Sequence, residues 1–120
     1  MGDGVNMIDI LQTGLRATGT RGKVLANNIA NINTPGYRRR AVAFEKALSE
    51  AMASGDAEAL REVTFETLQP RNTPVGANGN DVDLDSEVGD LIKNSALRKT
   101  YIRLLHKVYR QAEMAIQTNK

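Results

Sequence analysis

Cysteine and tryptophan are both absent from the 120-residue chain, and its aromatic residues are only two Phe and three Tyr. The lack of cysteine excludes disulfide bonds and thiolate chemistry, whether catalytic or metal-binding. With so few rings, a core must be built from Leu, Ile, Val and Ala, which suits packing of helix on helix. The composition, 41% hydrophobic and 25% charged, is that of one ordinary globular domain.

Long apolar runs are also missing, because no uninterrupted stretch approaches the ~18 residues that a membrane-spanning helix needs. The first basic residue is Arg16, so no basic segment precedes an apolar one as it does in a secretory signal peptide. We therefore expect any export of the chain to use a route without a cleaved signal. The formal net charge of +2 is too small to require a nucleic-acid or membrane partner.

Charge is unevenly distributed toward the end of the chain. Residues 81–90 contain five acidic residues and no basic one, whereas residues 93–120 contain seven Lys or Arg and a single acid, Glu113. An acidic segment beside a basic helix favours head-to-tail pairing with a neighbouring copy. Asp85 is the expected N-cap of that helix, because its carboxylate can accept from the free backbone N–H groups of the first turn.

The first part of the chain predicts a long amphipathic helix over residues 5–33. Its apolar stripe repeats at alternating steps of three and four, as in helices that pack lengthwise; the stripe is Ile8, Leu11, Leu15, Thr18, Gly22, Leu25, Ile29 and Ile32. Interior glycines such as Gly14 and Gly19 predict either a loosened helix, at about 1 kcal/mol each against Ala, or close approach of a neighbouring helix. Pro35 and Gly36 fit the two central positions of a type II turn.

Residues 34–84 read as that turn, a short middle helix and an irregular, variable loop. Helical spacing resumes over residues 41–52, while residues 57–68 fit a weak helix or a strand equally well. Residues 69–80 combine Pro, Gly and Asn and therefore predict a loop.

A second long helix is predicted over residues 85–118, with an apolar stripe that includes Tyr101, Leu105, Val108, Ala112 and Ile116. The expected fold is mostly α: one rod-type domain over residues 1–120, in which the two long helices pair as an antiparallel coiled-coil-like core. Two such helices cannot cover their stripes alone, so we expect association with further copies.

No pattern in the sequence favours an enzyme, a cofactor or a metal site. His106 is the only histidine, no Ser has the surroundings of a nucleophile elbow, and no Gly-rich loop follows a strand pattern. The acidic run suggests calcium, but an EF-hand requires Gly at position six and Glu at position twelve. Counted from Asp81, those positions hold Ser86 and Ile92, so a charge contact at the start of the helix is the better interpretation.

Arg38, Arg39 and Arg40, together with the basic last helix, raise the alternative of phosphate binding. The neighbouring acids, the few aromatics and the apolar stripes favour subunit packing, so no nucleic-acid partner is expected. Direct lipid binding is not expected either, because the Ala-rich stripe of the last helix has no Trp or Phe. A DNA-binding module and a helical adaptor that does not polymerise remain alternatives.

The most specific feature is the segment from Leu25 to Tyr37, Leu-Ala-Asn-Asn-Ile-Ala-Asn-Ile-Asn-Thr-Pro-Gly-Tyr. It closely resembles the N-terminal signature of the axial proteins of the bacterial flagellum, the rod, hook and related components. The short chain, the position of Phe44 and the segment 79–87 resemble the short proximal rod proteins of the B type in particular. The sister C type, which usually has a Pro-Asn-Val sequence before its last helix, is the alternative.

This resemblance implies a structural subunit of the proximal rod of the basal body, assembling helically through its terminal helices into the drive shaft for motility. It implies a place in the periplasmic part of the rod and export by the flagellar type III apparatus without a cleaved signal. The implied partners are copies of itself, other rod proteins, the rod-to-ring adaptor and the membrane ring. Packing is assigned to Ile8, Leu11, Leu15, Leu25, Ile29 and Ile32 with Tyr101, Leu105, Val108, Ala112 and Ile116. The signature turn is assigned to Asn27, Asn28, Asn31, Pro35, Gly36 and Tyr37.

Overall fold

The structure, a computed structural model, describes residues 4–118. Two long helices dominate this part of the chain. Between them lie two short helices and two short strands. The elements in chain order are α1 (Met7–Ala30), β1 (Ala41–Ala43), α2 (Glu45–Ala53), α3 (Ala57–Glu62), β2 (Glu66–Leu68) and α4 (Leu84–Thr118). The fold is therefore mostly helical, as predicted.

Asparagine side chains and backbone groups set the ends of α1, which is shorter than the predicted range 5–33. Asn6 Oδ1 accepts a hydrogen bond from the Asp9 N–H at 2.9 Å and so caps the first turn. At the other end the Asn31 N–H donates to the Asn27 carbonyl at 3.1 Å, and the following residues form a turn. Short Asn side chains compete with helical hydrogen bonds, which explains the earlier stop.

The helices α1 and α4 pack against each other and run antiparallel. Near one end, Gln12 Nε2 donates to the Tyr109 hydroxyl at 3.1 Å. Near the middle, Asn94 Nδ2 donates to the Thr18 carbonyl at 2.9 Å. Later residues of α1 thus meet earlier residues of α4, which confirms the predicted pairing of the two long helices.

Glycines of α1 allow side chains of α4 to approach its backbone closely. A Cβ atom on Gly14 would lie 2.5 Å from Tyr101 Cζ, and one on Gly19 would lie 2.9 Å from Arg98 Nη1. The helix is continuous through these positions. Of the two interpretations that the sequence left open for these glycines, close approach is the one found.

A second face of α1 packs on the middle segment, residues 41–68, and forms the apolar core. Phe44 lies in this core edge-on to Phe65, with ring centroids 6.0 Å apart. The buried members of the core are Ala17, Val42, Phe44, Leu48, Ala51 and Leu60. Residues that the sequence left as a variable middle thus cover much of α1.

The secondary structure of the middle segment differs from the prediction in two places. The predicted helix over 41–52 is wrong at its start, because Ala41–Ala43 form a strand that pairs antiparallel with Glu66–Leu68. Pairing buries Val42 at 3% exposure, a gain that outweighs the helical spacing of this stretch. The ambiguous residues 57–68 contain both a helix and a strand.

Arg21 ties α1 to the middle segment. Its guanidinium donates to the Val42 carbonyl at 2.6 Å and to Glu45 Oε2 at 2.9 Å, and its Cζ lies 4.1 Å from the centroid of the Phe44 ring. The hydrogen bond from Arg21 lowers the pKa of Glu45. One side chain thus combines a carbonyl contact, an ion pair and a cation–π contact.

The last helix, α4, starts one residue before the predicted 85 and extends beyond α1. The Glu87 N–H donates to the Asp83 carbonyl at 2.9 Å, so Asp85 lies inside the first turn rather than at the N-cap. With 35 residues α4 is about 52 Å long, against about 36 Å for the 24 residues of α1. Every residue from 111 to 118 is exposed.

Candidate functional site

The signature turn, residues 31–37, reverses the chain after α1. Gly36 has φ +73°, and the Tyr37 N–H donates to the Thr34 carbonyl at 3.2 Å. Both features are those of the predicted type II turn with Pro35 and Gly36 at its centre. A side chain at position 36 would be strained in this left-handed region.

The loop between β2 and α4 closes on the signature turn. Asn80, which is buried, donates through Nδ2 to the carbonyls of Asn31 and Thr34, both at 2.9 Å. Gly79 comes so close that a Cβ atom there would lie 3.3 Å from the Gly36 Cα. The start of the second resemblance segment therefore satisfies backbone carbonyls that the end of α1 leaves free.

Asn28 lies fully buried behind the turn, and its amide joins three parts of the chain. Its Nδ2 donates to the Arg40 carbonyl at 2.7 Å and to Glu87 Oε2 at 2.9 Å. Its Oδ1 accepts from the Tyr37 hydroxyl at 2.9 Å and from the Arg40 N–H at 3.0 Å. Both donors and both acceptor positions of the amide are thus used.

Two buried carboxylates face two arginines beside Asn28. Arg39 Nε donates to Glu87 Oε1 at 2.7 Å, and the side chain of Glu87 is completely buried. Asp81 Oδ1 accepts from the Arg39 backbone N–H at 2.6 Å, and its Oδ2 lies 3.7 Å from Arg38 Nη1 without a hydrogen bond. Buried charges are tolerated only when they are paired in this way.

We call Asn28, Arg38, Arg39, Asp81 and Glu87 the polar junction. It connects the two parts of the chain that carry the sequence resemblance, residues 25–44 and residues 79–87. The acidic run thus makes charge contacts at the start of α4, as expected. Since the Arg39 side chain is committed to Glu87, it is not free to contact a phosphate.

The structure brings together part of the two stripes assigned to packing. Leu11 and Leu25 are buried, whereas Ala112 and Ile116 are exposed in the part of α4 that runs past α1. The remaining members are half-buried: Ile8, Leu15, Ile29, Ile32, Tyr101, Leu105 and Val108. The core against the middle segment instead uses Ile10, Ala17 and Val24, one heptad apart along α1.

The assigned turn residues lie together, mostly near the surface. Asn27 Nδ2 donates to the Tyr37 hydroxyl at 3.2 Å, and Asn31 Nδ2 donates to the Asn27 carbonyl at 2.8 Å. Pro35 and Gly36 are exposed. Within one chain these amides bind neighbouring backbone groups and the tyrosine hydroxyl.

Sequence reasoning did not single out several residues of this region. Arg39 was grouped with its two basic neighbours, and Asn80 was read as part of a loop. Asn94, within the predicted last helix, is buried at 6% exposure, and its Nδ2 donates to the Thr18 carbonyl. The concentration of acidic residues in 81–90 is the sequence feature that could have pointed to this region, because a run of acids needs basic partners.

Within residues 4–118, no group of three or more His, Asp or Glu side chains is arranged to hold a metal ion. The same described range contains no helix whose length and apolarity would let it cross a membrane.

Comparison with known proteins identifies relatives along most of the chain. The family model described as flagella basal body rod protein matches residues 8–38. The chain is 35% identical over 101 residues to flagellar basal body rod protein FlgB of Escherichia coli strain K12, covering 70% of this chain and 73% of that protein. It is 32% identical over 108 residues to FlgB of Aeromonas hydrophila, covering 81% and 82%. Identity to FlgB of Borreliella burgdorferi is 28% over 115 residues, covering 81% and 85%.

The matched length and identity favour the B type over the C type that the sequence left as an alternative. They also agree with a fold in which two long helices pair. The chain belongs to the FlgB family of flagellar basal body rod proteins, which are structural, non-enzymatic components of the basal body that associate with other rod components.

Proposed function

We propose that the chain is a single rod-type domain that serves as a subunit of the proximal rod, assembling helically through α1 and α4 into the drive shaft for motility. The observation that carries this proposal is the apolar stripe of α4, which continues past α1 and leaves Ile116 65% exposed. The molecule is elongated, with extents of 67 × 28 × 15 Å. Exposed apolar surface of this kind marks a site of contact with neighbouring subunits.

The polar junction has a positioning role in this proposal. It holds the signature turn and the first strand to the start of α4, so the middle segment leaves the helix pair in a fixed direction. Both long helices then keep one side for neighbouring subunits. The buried ion pair between Arg39 and Glu87 favours this geometry, because separating the two groups would leave a buried charge without its partner.

The proposed partners are copies of the chain, other rod proteins, the rod-to-ring adaptor and the membrane ring. Membership of the rod family supports this set, and it supports a position in the periplasmic part of the rod. We also propose export through the flagellar type III apparatus, a route that needs no cleaved signal. No cofactor, nucleic acid or direct lipid contact is part of the proposal.

A charged substitution in the helix pair tests the proposal. Leu105→Asp places a carboxylate on a half-buried position of α4, and we expect loss of swimming and of the chain from isolated basal bodies in a strain lacking its own copy. Val75→Asp, at a 46% exposed loop position, is the control and should leave both unchanged.

Circular dichroism of each purified variant separates assembly from folding. Leu105→Asp should keep its helical signal, whereas Leu25→Asp, at a position only 4% exposed, should lose both folding and swimming. Normal swimming with Leu105→Asp, or absence of the unaltered chain from basal bodies, would refute the proposed function.

A further inference from the structure

The last turns of α4 carry an apolar stripe that has no partner within the chain. Gln12 of α1 lies beside Tyr109, so α4 runs past the start of α1 soon afterwards. We call residues 111–118 the distal end of α4. Ala112 and Ile116 continue the stripe that α1 covers further back, and Met114 is 64% exposed.

An open groove of about 920 Å³ lies between α1 and α4. Along α1 it extends from Gln12 to Ala26, which is about 21 Å of helix. Its apolar lining includes Leu15, Leu91 and Leu105. Gly19 and Gly22 also line it, and the side chains of Arg98 and Asn94 from α4 lie over these two positions.

The groove and the distal end of α4 are complementary in charge. Lys23 and Arg98 line the groove, and neither makes a salt bridge within residues 4–118. The distal end carries one charged residue, Glu113. An amphipathic helical segment with one carboxylate thus matches a groove that combines leucines with cationic side chains lacking a carboxylate partner among the described residues.

We propose that the distal end of α4 of one copy docks in the α1–α4 groove of a second copy. The occupant cannot be the same chain, because α4 is one continuous helix that carries its distal end away from its own groove. This inference rests on the proposed function, self-assembly of the rod, and it identifies the contact that joins successive copies. Since the two surfaces differ, the contact is head-to-tail and extends into a polymer.

Cysteine cross-linking tests the contact directly, because the chain contains no cysteine of its own. Two variants, Ala26→Cys in the groove and Gln117→Cys in the distal end of α4, are expressed together in a strain lacking its own copy, and basal bodies are isolated under mild oxidation. Neither substitution removes a charge that matches across the contact, and each copy carries a single cysteine. Any disulfide between them therefore joins two copies.

We expect a cross-linked dimer of the two variants at about tenfold the level obtained when Lys46→Cys replaces Ala26→Cys. Lys46 is a suitable control because its side chain is 89% exposed on α2, outside the groove. Equal cross-linking of both combinations would overturn the inference.

Charge reversal gives an independent measurement. Glu113→Lys, introduced into the Gln117→Cys variant, should lower its cross-linking to the Ala26→Cys variant by about fivefold, because like charges then meet at the groove. Adding Lys23→Glu and Arg98→Glu to Glu113→Lys should restore it. If the reversed charges fail to restore cross-linking, the assigned pairing is wrong.

The outcomes separate this contact from the proposed function. Motile cells whose basal bodies contain the cysteine variants without the expected disulfide would overturn the contact and leave the rod role intact. Absence of the unaltered chain from basal bodies would instead overturn the rod role, on which the contact depends.

Discussion

At Gly14, α1 leaves room for a ring from α4. The Tyr101 ring occupies the space where a Cβ atom would be, so the missing side chain serves packing at a helix crossing. The sequence could not decide this, because the helix-weakening effect of glycine is visible from the chain alone whereas its packing role depends on the residue opposite. The same limit applied to Asn28, whose partner Glu87 lies 59 residues away.

A Gly14→Ala substitution should therefore destabilise the fold despite the better helix propensity of alanine. Overpacking against Tyr101 costs about 1–3 kcal/mol, against a propensity gain of about 1 kcal/mol. Thermal unfolding followed by circular dichroism should show a lower melting temperature.

Gly89→Ala is the matched control, since it is also helical but a Cβ atom there would meet nothing within 4 Å. It should raise stability by up to about 1 kcal/mol. Equal stabilisation by both substitutions would contradict the close packing of Tyr101 on α1.

Between elements, the contact that matters most is the buried ion pair that joins the turn region to α4. Arg39 and Glu87 are 48 residues apart, and Glu87 is completely buried. Glu87→Ala should lower the free energy of unfolding by about 3–5 kcal/mol, because it leaves the Arg39 guanidinium without its partner. Urea denaturation measures this change.

The pair of Arg21 and Glu45 supplies the control, because the Glu45 side chain is 65% exposed. Glu45→Ala should cost no more than about 1 kcal/mol, as solvent screens the pair. In a double-mutant cycle Arg39→Ala with Glu87→Ala should cost clearly less than the sum of the two. Additive effects, or equal costs for Glu87→Ala and Glu45→Ala, would contradict a coupled buried junction.

The long helices could be predicted from the sequence, whereas the short elements could not. Apolar spacing over more than three heptads identifies α1, because a pattern of this length is not compatible with a strand or a loop. Three-residue strands such as Ala41–Ala43 carry no such pattern and exist only because Glu66–Leu68 pairs with them. The signature turn was predictable because Pro35 and Gly36 restrict the backbone locally.

On the scale of the whole molecule, the two helices are unequal in what they contribute to the fold. The first turns of α1 contact the middle segment, where Thr13 Oγ1 donates to the Leu60 carbonyl at 3.3 Å. Every position in the distal end of α4 is exposed, and no side-chain hydrogen bond or salt bridge joins it to another element among the described residues. Composition gave no sign of this inequality, since both stripes look alike in sequence.

Truncation after Arg110 should accordingly leave the melting temperature nearly unchanged, with a fall of no more than about 2 °C. Deletion of residues 7–13 should unfold the chain or lower the melting temperature by several times that amount, since it removes the buried Leu11. Circular dichroism melts of both forms provide the comparison. A large loss of stability on truncation after Arg110 would show that the distal end packs within its own chain.

The polar junction also sets the order in which the chain can fold during synthesis. Asn28 and Arg39 leave the ribosome long before Glu87, which lies 59 and 48 residues further along. Until Glu87 has been synthesised, the end of α1 lacks the carboxylate that Asn28 binds. The loop that closes over the turn is not yet in place either. The contacts that close over the signature turn therefore form late, although the turn itself is encoded locally, and the polar junction cannot form until most of the chain has been synthesised.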